Sequence, residues 1–202
     1  MAVLIEIGEG SLLQAGPRLF KLLRVLIRHK FLGALRGRNH WPSPKELRET
    51  FEELGLTFLK LGQVLALRRD LLPDTYINEL EQLHDQLPAL GFDVVSKLVE
   101  IELGAPLTQL FSTFSEAPLA AATIAQVHDA TLLDGRRVAV KVQRPGLATM
   151  IATDITAMSY LATLGERLFP SLRALDLPVL VREFASSLNR ETDFSREADS
   201  IR

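Results

Sequence analysis

The pair Asp134-Gly135 does most to limit what this chain can fold into. It lies between two short β-rich runs, "TIAQVHDATLL" and "RRVAVKVQ", in a chain whose other apolar patterning is helical. Asp-Gly between such runs is a strong hairpin signal, because both residues tolerate the positive φ that a tight two-residue turn demands. Pro145-Gly146 closes the second run. The order is therefore helices, then a small antiparallel sheet, then helices, which is an α+β arrangement. No internal repeat or low-complexity tract interrupts it.

The helical parts carry their own punctuation. Ser43-Pro44-Lys45-Glu46 predicts a helix start, with Ser43 as N-cap, proline at the first helical position and Glu46 reaching back as a capping box. Leu47, Phe51, Leu54, Phe58 and Leu61 then recur at helical steps, so one face is expected to be buried. The pattern predicts one helix running on through "FLKLGQVLALRRDLLP" to Pro73-Asp74. A second follows with Ile77, Leu80, Leu83 and Leu87 facing inward, ended by Pro88. "FDVVSKLVEIELGAP" reads as a third, stopped by Gly104 and Pro106. Beyond the hairpin, helices are expected over about 147–168 and from about Asp176, with Pro178 near its start. Three segments result: 1–40, 41–106 and 107–202.

Residues 17–38, "PRLFKLLRVLIRHKFLGALRGR", contain basic residues and no acids. Leu19, Leu22, Leu23, Leu26 and Ile27 recur at helical spacing, with Arg18, Lys21, Arg24 and Arg28 between them. Such a basic amphipathic helix can lie on an anionic membrane or an acidic partner; the plainer alternative is a helix packed on its domain with solvated cations.

Composition narrows the function classes. Of 202 residues, 47% are hydrophobic and 24% charged, enough to bury a core. A net charge of −2 argues against a nucleic-acid binder. The absence of cysteine excludes disulfides, thiolate zinc sites and cysteine nucleophiles, and fits a reducing compartment. "MAVLIEIGEG" lacks a signal-peptide pattern, and no run of about 18 apolar residues is evident, so no membrane span is expected.

Four groups of residues could carry chemistry. Val-Ala-Val-Lys ends on Lys141, on a strand expected to be buried. Val138, Val140 and Val142 share one face, and Ala139, Lys141 and Gln143 the other. A buried lysine needs a counter-charge, and kinase-type sites use one to hold α/β-phosphates. Glu183, Glu191 and Glu197 are downstream candidates; the alternative is a solvent-facing lysine on an edge hairpin. Lys60-Leu61-Gly62-Gln63 places a glycine inside a helix at a cost of roughly 1 kcal/mol, which a close backbone approach would explain. An exposed polar turn with a tolerated glycine explains it as well. Glu191, Asp193 and Glu197 form an acidic cluster that could meet lysines or a metal, or simply be solvated. His29, His40, His84 and His128 lack metal-ligand spacing, and His128, on the strand, reads as structural.

Taken in order, "FLKLGQVLALRRDLLP", "PLAAATIAQVHDATLLDGRRVAVKVQRPG" and "NRETDFSREAD" resemble the UbiB (AarF-type) family of atypical protein-kinase-like proteins, from about Pro44 onward. The resemblance implies a helical N-terminal extension packed on a small kinase-like N-lobe. Lys60, Gly62 and Gln63 match the KxGQ signature of that extension. Ala120, Ala121, Ala122 and Thr123 match the alanine-rich loop that replaces the kinase glycine-rich loop. Lys141 matches the nucleotide-binding lysine, and Glu197 the helix glutamate that pairs with it. Glu191 and Asp193 match the ExD motif, which in the family faces KxGQ. Thr123 stands where serine is usual, and Ala66-Leu67-Arg68-Arg69-Asp70 keeps only the arginine and aspartate of the family's "STRPD".

The family reading implies ATP with magnesium as cofactor and a role in ubiquinone (coenzyme Q) biosynthesis. Its implied partners are adenine nucleotide, isoprenoid or quinone-precursor lipids, a membrane surface and coenzyme Q biosynthesis proteins, with no nucleic acid. Its implied location is cytoplasmic, or peripheral on the inner membrane. Phosphoryl transfer also needs a catalytic-loop aspartate and magnesium-binding residues. Nothing up to Arg202 resembles them, so the C-lobe is expected to be absent and the chain to be the N-terminal part of such a protein, without ATP turnover of its own. The alternative is a non-enzymatic membrane- or lipid-binding module on a kinase-like scaffold.

Overall fold

The computed structural model describes residues 12–29, 31, 42–83 and 88–192. In chain order its elements are helices α1 (Leu12–Arg28), α2 (Pro44–Leu54), α3 (Leu56–Ala66), α4 (Asp74–Leu80), α5 (Phe92–Leu103) and the single turn α6 (Leu107–Leu110). Strands β1 (Phe111–Phe114), β2 (Ala120–Ala121), β3 (Ala125–Leu132) and β4 (Arg137–Gln143) follow. Helix α7 (Leu147–Leu168), a 3-10 turn (Pro170–Leu175) and helix α8 (Leu177–Thr192) come last. They form two compact units: Met1–His84 with Ala148–Arg202, and Asp85–Leu147.

In the first unit the helices before and after the sheet close on one another. The predicted capping box is present: Ser43 N–H donates to Glu46 Oε2 (2.7 Å), and Glu46 N–H to Ser43 Oγ (3.3 Å). The single helix expected from here to Pro73 is instead two. Gly55, at φ 93°, caps α2 through its N–H to Phe51 O and starts α3. Only glycine takes that backbone conformation cheaply, so the i+3, i+4 pattern continues through a bend that it does not reveal. The turn lets Phe51, Leu54 and Phe58 all be buried, and Ile77 and Leu80 of α4 are wholly so. Leu87 lies outside the described residues.

Helix α1 buries Ala15, Leu22 and Val25. Its Arg18 is the tie point of the unit. Arg18 Nε and Nη2 both donate to the Asp154 carboxylate of α7, the second at 3.0 Å. Nη2 also donates to Leu54 O at the end of α2 (2.8 Å), and the guanidinium lies 5.8 Å from the centre of the Phe58 ring. One side chain thus links four helices.

Helix α7 is more apolar than the lack of an unbroken apolar run suggested. By length and composition alone it is apolar enough to cross a membrane. Asp154, near its middle, is 1% exposed and ion-paired to Arg18, so this helix packs within a folded unit around a charge that lipid would not accept.

The second unit is a four-stranded antiparallel sheet centred on β3. β4 runs along one edge of β3 from Ala125↔Gln143 to Thr131↔Arg137. β1 and β2 share the other edge, at Phe114↔Ala130 and Ala120↔Val127. β1 was not evident in the sequence, where the β pattern begins only after Pro118. A four-residue "FSTF" is too short to show alternation. Asp134-Gly135 lies in the β3–β4 turn as expected, but the turn runs over 133–136 and only Gly135 takes positive φ (87°), so it is wider than a two-residue turn. Helix α5, capped by Gly104 at φ 73°, packs Val95 and Val99 against Phe111, Ala130 and Val142.

Buried polar groups on β3 are satisfied. Gln126 Oε1 accepts from Leu90 N–H (2.7 Å), and Gln126 Nε2 meets His128 Nε2 (2.8 Å). His128 Nδ1 meets Ser115 O (2.8 Å). A carbonyl can only accept, so the imidazole proton is on Nδ1 and Nε2 accepts from the Gln126 amide. His128 is structural, as its strand position suggested.

Candidate functional site

The expected site residues fall in both units. In the first, α3 carries Lys60, Gly62 and Gln63. Lys60 is 7% exposed, and its Nζ donates to Glu191 Oε1 at 2.7 Å, across 131 residues of sequence. Glu191 belongs to the last turn of α8 and is itself partly open, with 43% side-chain exposure. Burial of the ammonium makes a counter-charge necessary, and Glu191 supplies it.

Gly62 is not a tolerated glycine on an exposed turn. It is buried, and a Cβ there would overlap Leu83 Cδ1 and lie 2.7 Å from Phe51 Cδ2. The bare backbone at Gly62 lets α2 and the segment after α4 close on α3. Phe51 and Leu83, which the sequence marked only as core positions, are the side chains that pack on Gly62. Downstream, Arg68 grips Asp70 with two bonds of 2.8 and 2.7 Å, which hold the Asp70 carboxyl below its usual range. Both side chains are well exposed, so the pair adds little to stability. Asp193 lies outside the described residues.

In the second unit, Lys141 is on β4, opposite Val127 of β3. The strand was expected to be buried, but only one of its faces is. Val142 is buried and Val138 and Val140 pack on the α5 core, whereas Ala139 and Lys141 are exposed. A sheet covered by helix on a single side leaves the odd-numbered face of β4 open, and the lysine points there. Its expected partner, Glu197, lies outside the described residues.

The alanine-rich segment is not a long loop. Ala120 and Ala121 are β2, and Ala122 N–H donates to Ala125 O (2.8 Å), closing a hairpin whose two turn residues are Thr123 and Ile124. Both are buried, at 1% and 7% exposure. Arg144, just past β4, reaches this turn: its Nε donates to Ala122 O (3.1 Å) and its backbone N–H to Ile124 O (3.0 Å). Arg144 was missed in the sequence, although "KVQRPG" places it three residues after Lys141. Among the described residues no group of three or more His, Asp or Glu could hold a metal ion.

The second unit thus holds a glycine-free turn between β2 and β3 and a lysine on the open face of β4. The chain belongs to the ABC1 atypical kinase-like domain family, whose model matches residues 82–202. It is similar to a probable protein kinase UbiB of Marinobacter nauticus, 41% identical over 163 residues, covering 78% of this chain and 30% of that protein. It is equally similar to an uncharacterized Clostridium pasteurianum protein from the region 5′ of hydrogenase 1, 41% identical over 160 residues, covering 79% of this chain and 30% of that one. Among solved structures, the Mycobacterium tuberculosis protein Rv3197, in complex with erythromycin, shows 30% identity and a TM-score of 0.41 over 62% of this chain and 32% of its own. The chain thus spans under a third of the length of the curated relatives it matches.

Proposed function

We propose that this chain supplies the nucleotide-binding sheet and the KxGQ helices of an ABC1-type atypical kinase or ATPase acting in ubiquinone (coenzyme Q) biosynthesis. The observation that carries the reading is the placement of Lys141 on the open face of β4, in the same sheet as the alanine turn. There a lysine can meet the phosphates of an adenine nucleotide as a point charge. Ala120, Ala121, Ala122 and Thr123 offer a backbone that small side chains allow a phosphate to approach. Lys60, Gly62, Gln63, Glu191 and Asp193 form the regulatory part, with the Lys60–Glu191 bond fixing α3 to the end of α8.

In the full-length protein, a Mg-ADP concentration near one hundred times Kd stabilises a binding-competent fold by about 2.7 kcal/mol, seen as a rise in melting temperature. Lys141→Ala is expected to abolish that rise while leaving the unliganded melting temperature within a degree or two, since the side chain is exposed. An unchanged nucleotide-dependent rise would overturn the assigned role.

The membrane and lipid partnership is a second reading, favoured by the outer stripe of α1. Phe20 and Ile27 are 69% and 57% exposed, beside the exposed cations Lys21 and Arg24, on a helix without acids. An anionic bilayer would take both the apolar side chains and the charges. Binding to anionic vesicles is expected to weaken several-fold when salt rises from 50 to 500 mM, and further in Phe20→Ser/Ile27→Ser; salt-independent or absent binding would refute it.

A further inference from the structure

The alanine turn poses a conformational problem. Two-residue hairpin turns favour the primed types, which need positive φ and hence glycine, asparagine or aspartate, because their twist matches that of the flanking strands. The β2–β3 turn is Thr123-Ile124, neither residue has a positive φ, and β2 is only two residues long. So short a hairpin without a primed turn has little of its own to hold it. Something outside the turn must supply what glycine would have supplied within it.

We infer that Arg144 is that element: a positioning residue that clamps the alanine turn in one conformation beside Lys141. Three observations carry this. Arg144 N–H donates to Ile124 O (3.0 Å), which pins the end of β4 to the turn. Arg144 Nε donates to Ala122 O (3.1 Å) at the entry to the turn. Arg144 Nη2 donates to Pro88 O (2.9 Å), which ties the same guanidinium to the segment leading into α5. A planar fork can hold two carbonyls in fixed directions at once, and each bond is strengthened by the formal charge. Burial of Thr123 and Ile124 completes the anchorage from the apolar side. In a glycine-rich loop the backbone moves to fit the phosphates; here a side chain holds it in advance. The inference rests on the nucleotide reading of this turn, and adds that the turn is preset rather than adaptable.

The test compares Arg144→Ala and Arg144→Lys with wild type in the full-length protein, by amide hydrogen exchange and by Mg-ADP affinity. The clamp predicts that the Ala122 amide exchanges at least about tenfold faster in both variants, while amides of the β3–β4 ladder change less than about twofold. It also predicts that Mg-ADP affinity falls about fivefold or more in both, because lysine keeps the charge but not the fork. Wild-type-like exchange in Arg144→Lys would overturn the fork. A uniform rise across the sheet would show a merely structural residue and overturn it too. Faster exchange at Ala122 with unchanged Mg-ADP affinity would overturn the link to the nucleotide. Absence of Mg-ADP binding in wild type would refute the nucleotide reading alone, and the exchange contrast would then decide the clamp.

Discussion

Arg18→Ala is expected to cost about 3–5 kcal/mol, the usual consequence of removing one partner from a buried ion pair. The side chains are 18% and 1% exposed, so the Asp154 carboxylate would be left almost dry without its counter-charge. The Leu54 carbonyl and the Phe58 ring would lose their contact with the guanidinium as well. Urea unfolding followed by helical circular dichroism would read the loss as a lower midpoint at unchanged slope. The double variant Arg18→Met/Asp154→Leu, which removes both charges and keeps volume, is expected to recover most of it. A cost below about 1 kcal/mol for the single variant would show that the pair is not buried in solution.

Gly62→Val is expected to destabilise the first unit by about 3 kcal/mol, at the upper end for overpacking a core. Gly62→Ala is the sharper case, because two effects oppose. Helix propensity favours alanine by about 1 kcal/mol. The added Cβ would overlap Leu83 Cδ1 and crowd Phe51 Cδ2, and both side chains are buried, at 5% and 7% exposure, so either must shift within the core. Overpacking costs of about 1–3 kcal/mol should outweigh the propensity gain, leaving a net loss near 1 kcal/mol. Stabilisation by Gly62→Ala would mean that the site is open and that the close packing around α3 is wrong.

Both effects come from contacts that local patterning does not encode, whereas what was legible elsewhere is set by chemistry close along the chain. The capping box at Ser43, the Gly104 stop, the Asp134-Gly135 turn and the span of α7 were all readable, because each depends on residues within a few positions of one another. The bend at Gly55 was not, since a continuous apolar stripe fits a straight helix and a kinked pair equally well. Lys141 was expected on a buried strand because Val138, Val140 and Val142 dominate it, yet alternation places the lysine on the uncovered face.

The sequence by itself determined the α+β class, the β3–β4 hairpin, the spans of α5 and α7, and the set of motif residues. Only the tertiary structure decided that Lys60 is buried against Glu191 across 131 residues, that Arg18 meets Asp154 across 136, and that Arg144 closes on the alanine turn. The physical reason is the range of the forces involved. Propensity, capping and turn chemistry act over one or two turns of chain. The cost of a buried charge, or of a Cβ without space, is set by whatever the whole fold brings to that point.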